Sequence, residues 1–304
     1  MSDTRSIIEA RGTTPSTAPR TAAVQGTPLV PSFDEASLAR PATAAVTDLV
    51  IADSDGTELV RGVTASVRPG EALGIVGESG SGKTLTCRAL LGILPAGLEV
   101  TGGSVQVAGI DLTAADERAW RRVRGTHIGA VFQDPASYLN PAIPVGAQLE
   151  ETLRVTASLP RRQARERARE LLDDLGIRRV DLVLRQRVAQ LSGGMLQRVL
   201  IAMALAADPA VLIADEATTA LDVTVQAELL DLLARLRKER DLALILVSHD
   251  LAVVAQVCER VQVFRDGRVV EAGATSRVLR APAHPYTREL LSAHAAYGLE
   301  RFLA

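Results

Sequence analysis

Eight residues, Gly77-Glu78-Ser79-Gly80-Ser81-Gly82-Lys83-Thr84, constrain this chain more than any other segment. They follow the apolar run Leu73-Gly74-Ile75-Val76 and precede a stretch, 84–94, apolar enough to be a buried helix. Strand, glycine-rich loop and helix in that order match the pattern G-x-x-x-x-G-K-[ST] in its required context. The glycines permit backbone conformations that point successive N–H groups inward, and the helix N-terminus adds its partial positive charge. Together they form a cradle for a polyphosphate. Lys83 is placed to reach the β and γ phosphates, and the Thr84 hydroxyl to take a position on Mg2+. Composition agrees, because of 34 basic residues only Lys83 and Lys238 are lysine. A compact ammonium stands where a planar guanidinium fork would not fit the loop.

The rest of the chain has the texture of an α/β domain. Apolar runs at 73–76, 128–132, 211–214 and 242–247 alternate with longer helical patterns, which predicts a largely parallel sheet. The interval from about 135 to 205 reads as an inserted helical subdomain. Within it, 161–175 places Ala164, Ala168, Leu171, Leu172 and Leu175 on one face, and Gly176 can stop the helix in a left-handed cap. Arg161, Arg162, Arg165, Arg167 and Arg169 interleave with Glu166, Glu170, Asp173 and Asp174, so this is a solvated, ion-paired face rather than a nucleic-acid surface. A formal net charge of −2 and a pI near 6.1 agree, and no nucleic-acid partner is expected.

Residues 1–44, rich in Ala, Thr, Ser, Pro and Arg with no sustained period, read as a disordered tail, with tethering or regulation as the alternative. At 47% hydrophobic and 23% charged, the chain as a whole is globular and not a disulfide scaffold. Cys87 and Cys258 have no ligand partners at metal spacing and read as buried, reduced thiols. No apolar run reaches the roughly 18 residues that span a bilayer. A cytoplasmic chain that neither crosses the membrane nor is exported is expected.

Val211-Leu212-Ile213-Ala214-Asp215-Glu216 is an apolar strand ending in two carboxylates, which would emerge at the sheet's C-terminal edge beside the phosphates. Asp215 is suited to hold Mg2+ through water, and Glu216 to accept a proton from the attacking water. Leu191-Ser192-Gly193-Gly194-Met195-Leu196-Gln197-Arg198 precedes a helical run and offers a hydroxyl, exposed N–H groups and a positive helix end. That makes a second anion site, although a simple helix cap would also explain Ser192.

The whole octet 191–198 resembles the signature sequence of ABC (ATP-binding cassette) ATPases, in which the signature of one subunit closes over the γ-phosphate held by another. Val131-Phe132-Gln133-Asp134-Pro135 is similar to that family's Q-loop, Ala220-Leu221-Asp222 to its D-loop, and Val247-Ser248-His249-Asp250 to its H-loop. The resemblance implies that Gln133 senses Mg2+ and the nucleophilic water and links them to a membrane partner. It further implies that His249 contacts the γ-phosphate, and that Ser192, Gly193, Gly194, Gln197 and Asp222 act across a dimer interface. Taken alone, His249 is a plain loop histidine.

The resemblance covers about 46–293 and narrows. Phe132-Gln133-Asp134-Pro135 with Leu139-Asn140-Pro141, then Thr218-Thr219 with Val223-Thr224, and finally His284-Pro285-Tyr286-Thr287 with Leu290-Leu291 resemble the ATP-binding subunits of dipeptide, oligopeptide and nickel importers. It implies a P-loop NTPase (ABC ATPase) core over 45–272, with an inserted helical subdomain and an N-terminal antiparallel β region, and a C-terminal extension over 273–304. ATP and Mg2+ are the implied cofactors. The implied partners are a second ABC ATPase subunit, a heterodimer being favoured over a homodimer, two transmembrane permease subunits and, indirectly, an extracytoplasmic solute-binding protein. Peptide is the leading cargo, and the cytoplasmic face of the cell membrane the implied location. The alternatives are a soluble ABC ATPase or a nucleotide-binding regulator that does not hydrolyse.

Two departures stand out. The family stacks adenine on an aromatic ring at the end of the first strand, but between Phe33 and Trp120 there is no Phe, Tyr or Trp, and Ala52 or a neighbour occupies the region. Ala217 stands where the family has proline after the catalytic glutamate.

Overall fold

The computed structural model describes residues 40–217 and 221–295. The tail expected over 1–44 therefore lies outside the described residues as far as position 39, as do Thr218, Thr219 and Ala220. The last residues of that expected tail are held in place. Thr43 N–H donates to the Val67 carbonyl at 2.8 Å, and the Arg40 guanidinium pairs with Asp241 at 3.0 Å.

Two sheets form the scaffold. The strands, in chain order, are β1 Ala44–Asp53, β2 Glu58–Val67, β3 Ala72–Gly77, β4 Leu98–Val107, β5 Ile110–Asp111, β6 Ile128–Val131, β7 Val211–Asp215, β8 Ala243–Val247, β9 Arg260–Arg265 and β10 Arg268–Ala274. A six-stranded sheet runs β10-β9-β3-β8-β7-β6 and a four-stranded one β2-β1-β4-β5. β3, β7 and β8 are buried at every residue, as continuous apolar runs must be when both faces of a parallel sheet are covered. Only β10 runs antiparallel, on one edge of the six-stranded sheet. β3 takes both its neighbours, β8 and β9, from far along the chain.

In the four-stranded sheet β1 pairs antiparallel with both β2 and β4. The antiparallel region expected at the N-terminus is thus contributed in two pieces, one before β3 and one after the helix that follows it. The physical reason is pairing, since β1 sits at the centre of this sheet and needs a partner on each side.

The helices are α1 Lys83–Leu91, α2 Glu117–Val123, α3 Val145–Thr156, α4 Arg161–Asp174, α5 Val180–Val183, α6 Gly193–Ala204, α7 Val223–Arg240, α8 Leu251–Val257, α9 Thr275–Arg280 and α10 Pro285–Ala295. α3 to α6 lie between β6 and β7. α4 follows its sequence pattern: Ala164, Ala168, Leu171 and Leu172 are fully buried in one core cluster with Leu149 and Leu153 of α3. Each such leucine contributes about 1.5–3 kcal/mol relative to exposure. Gly176, at φ 72°, ends the helix, and Ile177 N–H closes on the Leu172 carbonyl at 2.9 Å. On the outer face Arg169 pairs with Asp181 at 2.8 Å and Arg167 with Asp208 at 3.4 Å. Exposed pairs of this kind contribute about 0–1 kcal/mol each. Among the described residues no helix is long and apolar enough to cross a membrane.

Candidate active site

Sheet register brings the expected residues to one edge. Gly77 pairs with Phe264, Ile75 with Val247, Val247 with Asp215, and Ala214 with Val131. The phosphate loop, His249, Asp215, Glu216 and Gln133 all follow directly from the C-terminal ends of those parallel strands, the edge where open α/β sheets bind ligands.

The loop is built on close backbone approach. Gly77, at φ 148°, lies so near β9 that a Cβ would sit 2.2 Å from the Phe264 carbonyl oxygen. Gly82, at φ 99°, starts α1 in a conformation a side chain would strain. Lys83 is only 4% exposed. Its ammonium donates to the carbonyls of Gly77 at 2.8 Å and Glu78 at 2.6 Å, and reaches the Ser81 hydroxyl at 3.4 Å. Burial pushes the Lys83 ammonium below its usual range, and the Glu216 and Asp215 carboxylates oppose that. Glu78, Ser79 and Gly80, at the tip of the loop, are exposed.

The Thr84 hydroxyl donates to Asp215 Oδ1 at 3.2 Å. Burial pushes the Asp215 carboxyl up, although the Thr84 hydrogen bond pulls it the other way. Two adjacent oxygen donors, one of them a buried carboxylate, suit the hard, oxygen-seeking Mg2+. Glu216 follows at φ 50°, its N–H held by the Val247 carbonyl at 3.0 Å and its side chain 24% exposed. His249 Nδ1 lies 3.9 Å from Glu216 Oε2, too far for a hydrogen bond, with the imidazole half exposed. Gln133 is exposed beyond the end of β6. Ala217, in the position where the family has proline, is 4% exposed.

A second cluster sits where α6 meets α7. Ser192 caps α6, accepting from Met195 N–H at 3.4 Å, and Asp222 caps α7, accepting from Val225 N–H at 3.0 Å. Gly194 has no room for a side chain, since a Cβ would lie 2.6 Å from Val225 Cγ1. Ser192, Gly193 and Asp222 are exposed, and Val223 beside them is 82% exposed. Gln197, expected to act with them across an interface, instead faces inward at 1% exposure, and its Nε2 has no acceptor among the described residues. Helical spacing explains the difference: five positions beyond Ser192, Gln197 has turned onto the apolar face with Leu196, Val199 and Leu200. Ala220 of the expected D-loop lies outside the described residues. Among the described residues, no hydrogen bond or ion pair joins this second cluster to the phosphate loop, Asp215, Glu216 or His249.

The end of β1 offers no ring for a base. Ala52 is 4% exposed and paired with Glu58 and Glu99, and the next side chain, Asp53, folds back on the N–H groups of Asp55 and Thr57 at 3.0 and 2.8 Å.

One contact with the loop comes from far along the chain. The Tyr286 hydroxyl accepts a hydrogen bond from Glu78 N–H at 3.1 Å. The segment His284-Pro285-Tyr286-Thr287 stood out only as a marker of resemblance, and no local pattern ties it to a loop 208 residues earlier.

Comparison with known proteins follows the same lines. The family model described as ABC transporter matches residues 60–219. The chain is 45% identical over 255 residues to a glutathione import ATP-binding protein of Pectobacterium atrosepticum, covering 81% of this chain but 40% of that protein. It is 47% identical over 238 residues to a putative peptide import ATP-binding protein of Brucella melitensis, covering 76% of this chain and 70% of the relative. Among solved structures, the dimeric bacterial ABC transporter cassette MJ0796 superposes with a TM-score of 0.68 at 27% identity, over 76% of this chain and 98% of that one. The same cassette in a dimeric post-hydrolysis state bound to ADP and phosphate gives 0.67 at 26% identity.

Proposed function

Because the chain belongs to the ABC transporter family, we propose that it binds and hydrolyses Mg-ATP as one cassette of a pair and so powers import of di- or oligopeptides. The observation that carries this reading is the presence on one chain of two clusters that no hydrogen bond or ion pair joins among the described residues, which we take to be two half-sites. The phosphate loop, Asp215, Glu216 and His249 gather at one sheet edge, while Ser192 and Gly193 stand exposed at the start of α6, beside the half-buried Gly194, with no phosphate-binding partner of their own.

In this reading Lys83 and the loop N–H groups bind the β and γ phosphates. Thr84 and, through water, Asp215 would hold Mg2+, which would offset the phosphate charge; Gln133 would reach the same ion and the attacking water. Glu216 takes the proton from that water as its oxygen bonds to the γ-phosphorus and the bond to the β–γ bridging oxygen breaks, leaving ADP and phosphate. His249 hydrogen-bonds the γ-phosphate. Ser192, Gly193 and Gly194 of this chain close on nucleotide held by the second cassette, and Asp222 couples the two sites. We take that second cassette to be a different ATPase subunit, with two permease subunits anchoring the pair at the cytoplasmic face of the membrane and a solute-binding protein acting outside. The cassette would span 45–272 and the extension 273–304. Names of the relatives, peptide and glutathione import proteins, support the cargo class.

Replacing the proposed base tests the reading. Glu216→Gln should lower steady-state phosphate release at least about a hundredfold, because general-base catalysis contributes about 10²–10⁴-fold. It should also trap an ATP-bound dimer on size exclusion. Isolation of the tagged variant from detergent-treated membranes with ATP should recover two polytopic proteins and a second cassette. Recovery of only a soluble homodimer, or of ribosomes or DNA, would overturn the transport reading and leave the ATPase standing.

A further inference from the structure

We propose that Tyr286, in the C-terminal extension, is a positioning residue for nucleotide binding, which it serves by fixing the peptide unit that aims Lys83. The proposal rests on the ATPase reading above and adds a residue to it. The Gly77 carbonyl and the Glu78 N–H are opposite ends of one planar peptide. The N–H end donates to the Tyr286 hydroxyl at 3.1 Å, and the carbonyl end accepts from Lys83 Nζ at 2.8 Å. A peptide held at both ends cannot rotate about its flanking bonds, and this one needs holding, since Gly77 at φ 148° has the torsional freedom of glycine. The Lys83 ammonium has three donors, of which the Gly77 and Glu78 carbonyls take two. Those two short contacts set the direction of the third donor, which reaches the Ser81 hydroxyl only at 3.4 Å, the weakest of the three and the one a phosphate oxygen would displace.

Tyr286 is itself held from several sides. It is 3% exposed, and the Arg265 guanidinium lies over its ring, 4.6 Å from the centroid. Arg265 directly follows Phe264, whose carbonyl abuts Gly77. Tyr286 N–H donates to His284 Nδ1 at 3.2 Å, and both oxygens of the Glu271 carboxylate anchor the turn, accepting from Ala283 N–H at 2.8 Å and His284 N–H at 3.0 Å. Burial raises the Tyr286 phenol above its usual range, so the hydroxyl stays neutral throughout an ordinary assay. The extension thus reaches back to the loop through a braced side chain, not a loose one.

The test compares Tyr286→Phe, which keeps the ring and the Arg265 contact, with Thr287→Val, the fully buried neighbour that makes no hydrogen bond to the loop. Titration calorimetry with Mg-AMP-PNP gives Kd, phosphate release gives KM and kcat, and scanning calorimetry gives stability. Expected for Tyr286→Phe is a roughly three- to tenfold rise in both Kd and KM, the effect of one hydrogen bond, with kcat within about twofold of wild type. Thr287→Val should leave both Kd and KM within about twofold of wild type, whatever its effect on the melting temperature. An unchanged Kd in Tyr286→Phe overturns the proposal, as does an equal rise in Thr287→Val, which would reduce Tyr286 to packing. Wild-type protein that binds Mg-AMP-PNP without turning over ATP would refute the ATPase reading, and the Kd ratio would still decide the role of Tyr286.

Discussion

The hydroxyl of Thr84 and the carboxylate of Asp215 meet at 3.2 Å, joining the first turn of α1 to the last residue of β7. Asp215 is 5% exposed, and burial holds its pKa above the ordinary 3.8 despite the Thr84 hydrogen bond. Folded protein therefore binds this proton more tightly than unfolded protein does. Stability from this group is present below the unfolded value and is lost as pH rises towards the folded one, so at neutral pH the ionised carboxylate burdens the native state. Asp215→Asn should raise the melting temperature of the nucleotide-free, metal-free protein by a few degrees while lowering phosphate release at least about a hundredfold. Scanning calorimetry at pH 7 checks the first part, and a lower melting temperature would contradict it.

Gly194 and Val225 fit each other so closely that neither can grow. A Cβ at 194 would lie 2.6 Å from Val225 Cγ1. Gly194→Ala should destabilise by about 1–3 kcal/mol through overpacking, and Val225→Ala in the same chain should restore most of the loss. Chemical denaturation of the single and double variants measures the coupling; additive losses would mean the two helices adjust independently.

Nucleotide selectivity should be low. Base–aromatic stacking contributes about 1–3 kcal/mol, and the end of β1 presents only a buried Ala52 and a self-bonded Asp53. ATP and GTP should bind within about tenfold of each other in competition binding. A hundredfold preference for ATP would show that adenine is held by groups elsewhere.

Much of this was legible locally. The apolar runs at 73–76, 128–132, 211–214 and 242–247 became β3, β6, β7 and β8, because a strand buried on both faces announces itself by unbroken hydrophobicity. Gly176 stopped α4 as a left-handed cap should. What stayed hidden depends on the third dimension. That Glu216 would sit at φ 50° with its N–H on the Val247 carbonyl shows in no local pattern, since glutamate has no preference for that region. Gln197 belongs to a sequence motif in which Ser192 and Gly193 are exposed, yet its place on the helix turns it, with Leu196, into the core. Tyr286 and Glu78 meet only because β9 and the segment after β10 return to the sheet beside β3.

The neighbours of β3 also set a timetable. Strand and loop are complete once Thr84 is made, but β8 begins at Ala243 and β9 ends at Arg265. At about 5–20 residues per second of synthesis, roughly 10–40 s pass before both flanking strands exist. Throughout that interval a nascent chain carries the whole glycine-rich octet without both of the strands that flank β3. Competence to hold nucleotide therefore arrives late and abruptly, and a fragment ending before β8 should display the motif without the cradle.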